Sequence, residues 1–299
     1  MPPQVEIEGY ELAERIGAGA ESMIFRAVER ASKEVVAIKW VCVENAESYK
    51  YLRHAENEYE RLKALEGGEK GHPPGVVRAR RLIKSGFLRK RKSCALVMDY
   101  VDGLDLRRER RYPLGQLVEM MRHVAGALSA IHARGLIHGD LKPENIIVTH
   151  GGRPVLVDFG FCCESGSCPQ TIRGTRDYMA PEQVDRRPLT EKTDIFNFGA
   201  TMYFLFSGRH VPALMAEPGS NKLFIAGRNL DAPPMRTFNP GVPPALDGVV
   251  LRCVRQDIVE RPSCIDEVRE GLSGVIERCF GDRSALAATP PPPPAPETA

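Results

Sequence analysis

No apolar run in the 299 residues approaches the roughly 18 that a membrane span needs. The opening MPPQVEIEGYELAER has early acids and no apolar core, so a secretory signal is not expected. The eight cysteines show neither framework spacing nor a CxxC pair, which excludes a disulfide scaffold and a zinc finger as the expected organisation. The setting to expect is reducing and cytoplasmic. Charge of one sign is also missing overall, with 41 Lys/Arg against 39 Asp/Glu and a net charge of +2. At 42% apolar and 27% charged, the composition is that of a globular chain rather than a disordered one. The length gives a prior of about two domains or lobes.

The charge is uneven. Residues 78–111 hold twelve Lys/Arg against four Asp/Glu. Such a band can attract phosphate, acidic peptides or an anionic surface, or it can be a solvated loop and helix face.

The first hundred residues read as strands broken by turns. Tyr10–Ile16 and Met23–Val28 flank a glycine-bearing turn, Glu34–Val43 is β-branched, and Ser93–Val101 forms another strand after the charged turn Arg89–Lys92. A helix is predicted from about Ala46 to Leu65, stopped by Gly67-Gly68. Beyond residue 105 the pattern turns helical. Leu117, Met120, Met121, Val124, Leu128 and Ile131 form one apolar stripe within Leu114–Ala133. Further helices are expected over Lys192–Ser207, Pro244–Val254 and Ile265–Ile276. The organisation is a small β-rich lobe with one helix, then a larger helical lobe. There is no internal repeat. The last ten residues contain six prolines, which suit an extended or disordered tail, either a linker or an adaptor ligand.

Ile16-Gly17-Ala18-Gly19-Ala20-Glu21-Ser22 lies between two predicted strands. Small residues let a backbone fold over phosphates and aim its N–H groups at them, although many tight turns carry glycine too. Twenty residues on, Lys39 ends the apolar strand Val36-Ala37-Ile38. A lysine there needs anionic partners, because an unpaired buried ammonium is costly. A nucleotide phosphate and a helix carboxylate qualify. Glu58 shares a helix face with Leu62 and Leu65, whereas Glu56 and Glu60 point elsewhere.

The run Ile137-His138-Gly139-Asp140-Leu141-Lys142-Pro143-Glu144-Asn145-Ile146-Ile147-Val148 is followed, thirteen residues after the asparagine, by Asp158-Phe159-Gly160. Singly, each of these acids reads as a cap or turn residue. Together, two acids and an amide beside β-branched runs can converge on a metal–triphosphate, with Asp140 accepting a hydroxyl proton and Asn145 and Asp158 offering oxygens to magnesium.

In this order the motifs resemble the eukaryotic-type (Hanks) serine/threonine protein kinase family over about residues 8–275. The resemblance implies an α+β, two-lobed kinase fold with ATP in the cleft. The domain would span 8–279, with an N-lobe of 8–100, a C-lobe of 101–279 and a proline-rich tail of 280–299. It further implies that Ile16, Gly17 and Gly19 cover the nucleotide, that Lys39, paired with Glu58, holds the α- and β-phosphates, and that Ile24, Ala37 and Ile147 sandwich the base. Met98 would be the gatekeeper, Asp99–Val101 the adenine hinge, and Asp105 the ribose contact. Asp140 would be the catalytic base, Lys142 would steady the transferred phosphoryl, and Asn145 and Asp158 would hold Mg²⁺. Gly174-Thr175 and Tyr178–Glu182 are similar to the substrate-docking end of an activation segment. Glu182 would pair with Arg261, and Asp194 would cap a helix beneath the catalytic loop. Lys142 and Thr175 imply Ser/Thr specificity. The implied partners are ATP and protein substrates, with possible self-association through autophosphorylation and no nucleic acid.

The chain departs from the family pattern at two positions. Gly139 stands where an arginine usually binds an activation-loop phosphate, so the site is expected to assemble without phosphate on Thr171. Ser22 replaces a loop glycine and is read as tolerated. Two alternatives remain. One is an aminoglycoside-type phosphotransferase, against which Lys142–Glu144, Asp158–Gly160 and the Gly174–Glu182 segment argue. The other is a pseudokinase or scaffold, against which the retained Lys39, Asp140, Asn145 and Asp158 argue. Cys162, Cys163 and Cys168 are either incidental or a site of metal or redox control. The short chain fits a minimal kinase or one domain of a longer protein.

Overall fold

In a computed structural model of the chain, residues 5–19, 22–43, 49–67, 71–86, 93–108, 112–212, 215–216, 223–224 and 231–281 are described. The chain divides into two compact units, one of Met1–Asp102 with Asp158–Phe161, the other of Gly103–Val157 with the chain from Cys162 onward.

The first unit is built on one antiparallel sheet. Its strands are β1 (Tyr10–Ala18), β2 (Ser22–Glu29), β3 (Val35–Cys42), β4 (Ala79–Ser85) and β5 (Ser93–Asp99), in the order β1-β2-β3-β5-β4. Period-2 alternation decides which face each side chain takes. Val36 and Ile38 turn to one face and pack with Ile7, Tyr10, Ala27, Ala95 and Val97. Ala37, Lys39 and Val41 turn to the other, where α1 (Tyr49–Glu66) seats Ala55 against Val41 and Cys94. Cross-strand register sets Ile24 beside Lys39 and Met98 beside Ala37, so these four share that second face. The helix buries Ala55, Glu58, Leu62 and Leu65, the stripe expected of one α-helical face.

The second unit is mainly helical: α2 (Leu114–His132), the single-turn α3 (Pro181–Val184), α4 (Glu191–Ser207), α5 (Pro244–Cys253) and α6 (Ile265–Cys279). α4 is buried almost throughout, with Ile195, Phe196, Phe198, Met202, Tyr203 and Phe206 all interior. A Cβ on its Gly199 would sit 2.5 Å from the Cβ of Cys253, so glycine is what lets α5 approach. Among the described residues three small sheets accompany the helices. One joins β6 (Gly103–Asp105), β8 (Ile146–Thr149) and β9 (Pro154–Leu156), a second pairs β7 (Leu136–Ile137) with β10 (Cys163–Glu164), and a third pairs β11 (Met215–Ala216) with β12 (Leu223–Phe224).

Gly103 faces β8 so closely that a Cβ there would lie 2.1 Å from the backbone oxygen of Val148. The obstacle is backbone, which cannot rotate aside as a side chain can. Gly103→Ala is expected to destabilise the protein by about 1–3 kcal/mol, read as a lowered urea midpoint; an unchanged midpoint would mean that β6 is free to shift.

The expected strands and helices form, with ends displaced by a few residues, and α6 continues three residues past Ile276. One strand is not among those expected: Ala79–Ser85 forms the edge strand β4, whose Arg80, Arg81 and Lys84 are exposed. Edge strands take such charges because these discourage pairing with another chain, and the same charges hide the strand's apolar alternation. Residues 44–48, the Arg89–Lys92 turn and the proline-rich end lie outside the described residues.

Candidate active site

In the first unit, β3 and α1 deliver one cluster of charges. Lys39 Nζ lies 2.7 Å from Glu58 Oε2 and 2.9 Å from Asp158 Oδ1. Glu58 is 1% exposed, and its other oxygen accepts the Phe159 N–H at 3.1 Å. Burial would lower the Lys39 pKa, but the carboxylates of Glu58 and Asp158 outweigh it and hold the ammonium charged, above the usual lysine range. Asp158 has φ +60°, a strained value for a non-glycine residue, and its Oδ1 also accepts the Gly160 N–H at 3.3 Å. A Cβ on Gly160 would come within 3.2 Å of Asp158 Oδ1 and 3.6 Å of Lys39 Nζ, so the bare glycine leaves room for the cluster.

Ile16, Gly17 and Ile24 lie on the β1–β2 hairpin, with Gly17 opposite Ile24 and the Gly19 N–H donating to the Ser22 carbonyl at 2.8 Å. A Cβ on Gly19 would fall 2.6 Å from Ser22 Oγ, so the serine in place of a third glycine leans on the small residue across the turn. The tip, Ala20-Glu21, lies outside the described residues. Ala37 and Met98 are nearly buried, Asp99 accepts from Arg80 Nε at 2.6 Å, and Val101 is half-buried.

In the second unit, Asp140 is nearly buried. Its Oδ1 accepts the Thr175 N–H at 2.7 Å and its Oδ2 lies 3.0 Å from Lys142 Nζ. Lys142 Nζ also donates to Thr175 Oγ1 at 2.8 Å, closing a triangle of carboxylate, lysine and threonine. Asn145 Nδ2 donates to the Asp140 carbonyl at 2.8 Å, which orients the amide and leaves Oδ1 as its oxygen donor. Ile147 sits on β8 opposite Asp105. Asp105 Oδ1 accepts the N–H groups of Arg107 and Arg108, each at 3.0 Å, which holds the turn after β6.

Beneath the loop lies Asp194, in the first turn of α4 and fully buried. It accepts the N–H groups of His138 and Gly139, each at 2.8 Å, and binds His132 Nε2 at 2.8 Å. Burial alone would raise its pKa. The hydrogen bond and charge of His132, the charge of His138 and the Gly139 N–H reverse this and hold the carboxyl below its ordinary range. A depressed folded-state pKa contributes stability above the unfolded value, about 3.9 for aspartate, that is lost as the pH falls through the folded value. Urea unfolding of wild type and Asp194→Asn from neutral pH to about pH 2 is expected to give curves well apart at neutrality that converge below about pH 4. A constant gap would refute the linkage.

Sequence reasoning missed two polar residues here, Gln183 and Asn197, each 1% exposed. Gln183 Nε2 donates to the carbonyls of Gly139 at 2.8 Å and Arg173 at 3.2 Å, while its Oε1 accepts from the Ala180 N–H and Asn197 Nδ2, each at 2.8 Å. One amide thus ties the catalytic loop, the segment before Gly174 and α4 together, and buried polar groups satisfied in this way hold a loop in one geometry. The available hint was Asn197, a polar residue between Phe196 and Phe198. Glu182 and Arg261 form the expected ion pair, bidentate at 2.7 and 3.0 Å.

The description "Protein kinase domain" matches residues 10–270 of the chain. The chain belongs to that family. It is 33% identical to the serine/threonine-protein kinase PkaA of Streptomyces coelicolor over 290 residues, covering 90% of this chain and 50% of that protein. It is 26% identical to PrkC of Bacillus subtilis, covering 91% and 40%, and 26% identical to PknA of Mycobacterium tuberculosis, covering 88% and 60%; both carry the same kinase designation. The chain thus spans about half the length of the curated relatives it matches. As a kinase domain it has an α+β, two-lobed fold, with an antiparallel sheet in one unit and a helical second unit.

Among the described residues, no group of three or more His, Cys, Asp or Glu side chains is placed to hold a metal, the Cys162–Cys168 region included. No helix among them is long and apolar enough to cross a membrane. Asn145 presents an amide oxygen in the second unit and Asp158 a carboxylate in the first, each an oxygen donor of the kind that magnesium takes.

Proposed function

We propose that the chain is a serine/threonine protein kinase domain that transfers the γ-phosphoryl group of ATP to a Ser or Thr hydroxyl of a protein. The observation that carries this reading is the Asp140–Lys142–Thr175 triangle, which sets a buried carboxylate beside a cation and the Gly-Thr pair. Lys39, kept charged by Glu58 and Asp158, holds the α- and β-phosphates, and the Gly17–Gly19 backbone covers them. Ile24, Ala37, Met98 and Ile147 offer apolar contact to the base, Asp99–Val101 offers backbone groups to its edge, and Asp105 faces the ribose. Asp158 and Asn145 would each offer an oxygen to magnesium, which would supply positive charge against the phosphates. As the acceptor oxygen bonds to the γ-phosphorus and the bond to the leaving ADP oxygen breaks, Asp140 takes the hydroxyl proton and Lys142 balances charge on the phosphoryl oxygens.

Phosphate incorporation from Mg²⁺-ATP into arrays of Ser, Thr and Tyr peptides, beside an aminoglycoside panel, tests the proposal. Transfer to Ser and Thr peptides alone is expected. Transfer to the antibiotics, or to nothing with no nucleotide bound, overturns it.

Gly139 has φ +76°, a conformation that suits glycine, and its carbonyl accepts from Gln183 Nε2 at 2.8 Å, so a neutral side chain already holds this loop. Thr171→Ala is therefore expected to keep turnover within about twofold of wild type. A large loss, with phosphate on Thr171 of the active form by mass spectrometry, would show that the loop needs modification.

A further inference from the structure

Thr175 donates its N–H to Asp140, so any hydroxyl delivered to that carboxylate arrives beside the chain of Arg173–Arg176. This stretch is pinned. Gln183 holds the Arg173 carbonyl at 3.2 Å. Gly174 has φ +122°, and a Cβ on it would meet Met179 Cγ at 2.8 Å. The backbone positions of the flanking residues are therefore set before a substrate arrives.

Both flanking residues are arginines. Arg173 and Arg176 are exposed and have no ion-pair or side-chain hydrogen-bond partner among the described residues. Neighbouring charges differ in this respect. Arg107 lies 3.7 Å from Glu144, Arg108 lies 3.3 Å from Asp105, and Arg187 lies 2.6 Å from Asp185. Asp177, next in sequence to Arg176, leans toward His210 at 3.7 Å instead. Two guanidinium groups on a fixed backbone, adjacent to Asp140 and without a counter-ion among the described residues, suit planar anions such as carboxylates, which arginine binds through paired N–H groups.

Resting on the kinase reading above, we infer that Arg173 and Arg176 form an acidic-residue subsite, so that the preferred acceptor peptides carry Asp or Glu close to the phosphorylated hydroxyl. Residues 173 and 176 lie about 7 Å and 4 Å at most from Thr175 along the chain, so the selecting acid stands within about three positions of the acceptor. A phosphate on Thr171 could claim the same guanidinium groups, and the experiment separates the two anions.

The test measures kcat/KM for peptides with one Ser or Thr in a neutral background, with Asp, Ala or Lys scanned over the three positions on either side. Wild type is compared with Arg173→Glu/Arg176→Glu. In wild type, Asp at one or more positions is expected to raise kcat/KM about fivefold over Ala, with the advantage fading at high salt. In the double variant the order is expected to invert, with Lys preferred over Asp. An unchanged Asp-to-Ala ratio in the variant overturns the inference, as does the absence of any acid preference in wild type. So does a variant that slows neutral and acidic peptides equally while Thr171 carries phosphate, because the arginines would then serve the loop. Failure of wild type to phosphorylate any peptide or itself would instead overturn the kinase reading.

Discussion

Asp140→Asn is expected to lower phosphoryl transfer to peptide about 10²- to 10⁴-fold, with a much smaller change in KM for ATP. Asp140 Oδ1 takes the Thr175 N–H and Oδ2 takes the Lys142 ammonium, so both oxygens already face donors. An asparagine of nearly the same shape must turn its NH₂ toward one of them, losing the contact as well as the proton acceptor. Lys39, Glu58 and Asp158 lie in the other unit and are untouched, which is why nucleotide affinity should hold. Initial rates with varied peptide and varied ATP separate the two effects. Incorporation equal to wild type would mean that a contaminating kinase was being measured or that Asp140 is not the proton acceptor.

Arg261→Ala is expected to cost about 3–5 kcal/mol of stability, read as a fall in urea midpoint. The Arg261 side chain is fully buried, bidentate to Glu182, and donates to the carbonyls of Arg255, Lys192 and Gln256. Its guanidinium also lies over the Phe196 ring, 4.9 Å from the centroid. Truncation leaves a buried carboxylate without a counter-charge and three carbonyls short of a donor, and that uncompensated burial dominates the loss. The double change Glu182→Gln/Arg261→Met removes both charges and should cost less than the single truncation. Arg261→Lys should not restore the wild-type midpoint, because an ammonium cannot reproduce the fork to Glu182 together with the backbone donations. A single variant as stable as wild type would show that the pair is structurally idle.

The elements that sequence pattern revealed are those with strong local periodicity. The stripe in Leu114–Ala133 and the β-branched run around Val36–Ile38 need no distant partner to be recognised, and α2 and β3 follow them closely. β4 escaped because ARRLIKS places three charges in a seven-residue strand. The β6–β8–β9 and β7–β10 pairings escaped for another reason. The run Pro154–Val157 before Asp158 reads as a strand, but what each of these two- to four-residue segments pairs with depends on long-range partners that the sequence does not display. The choice of Glu58 over Glu56 and Glu60 was legible because helix geometry places it on the face of Leu62 and Leu65, and that face is the one buried. Gln183 was not legible, since nothing beside it in the chain announces that its amide will bridge Gly139, Arg173 and Asn197.

The order and spacing of Lys39, Asp140, Lys142, Asn145 and Asp158 determined the family, because a linear pattern of chemically constrained residues survives without coordinates. Tertiary structure decided how each is held. Lys39 is kept charged by two carboxylates, the loop of His138–Gly139 hangs from a buried Asp194, and the two exposed arginines flanking Gly174-Thr175 have no ion-pair partner among the described residues. The physical reason is that charge state, orientation and free valence depend on atoms brought together from distant parts of the chain, and a one-dimensional pattern does not contain those distances.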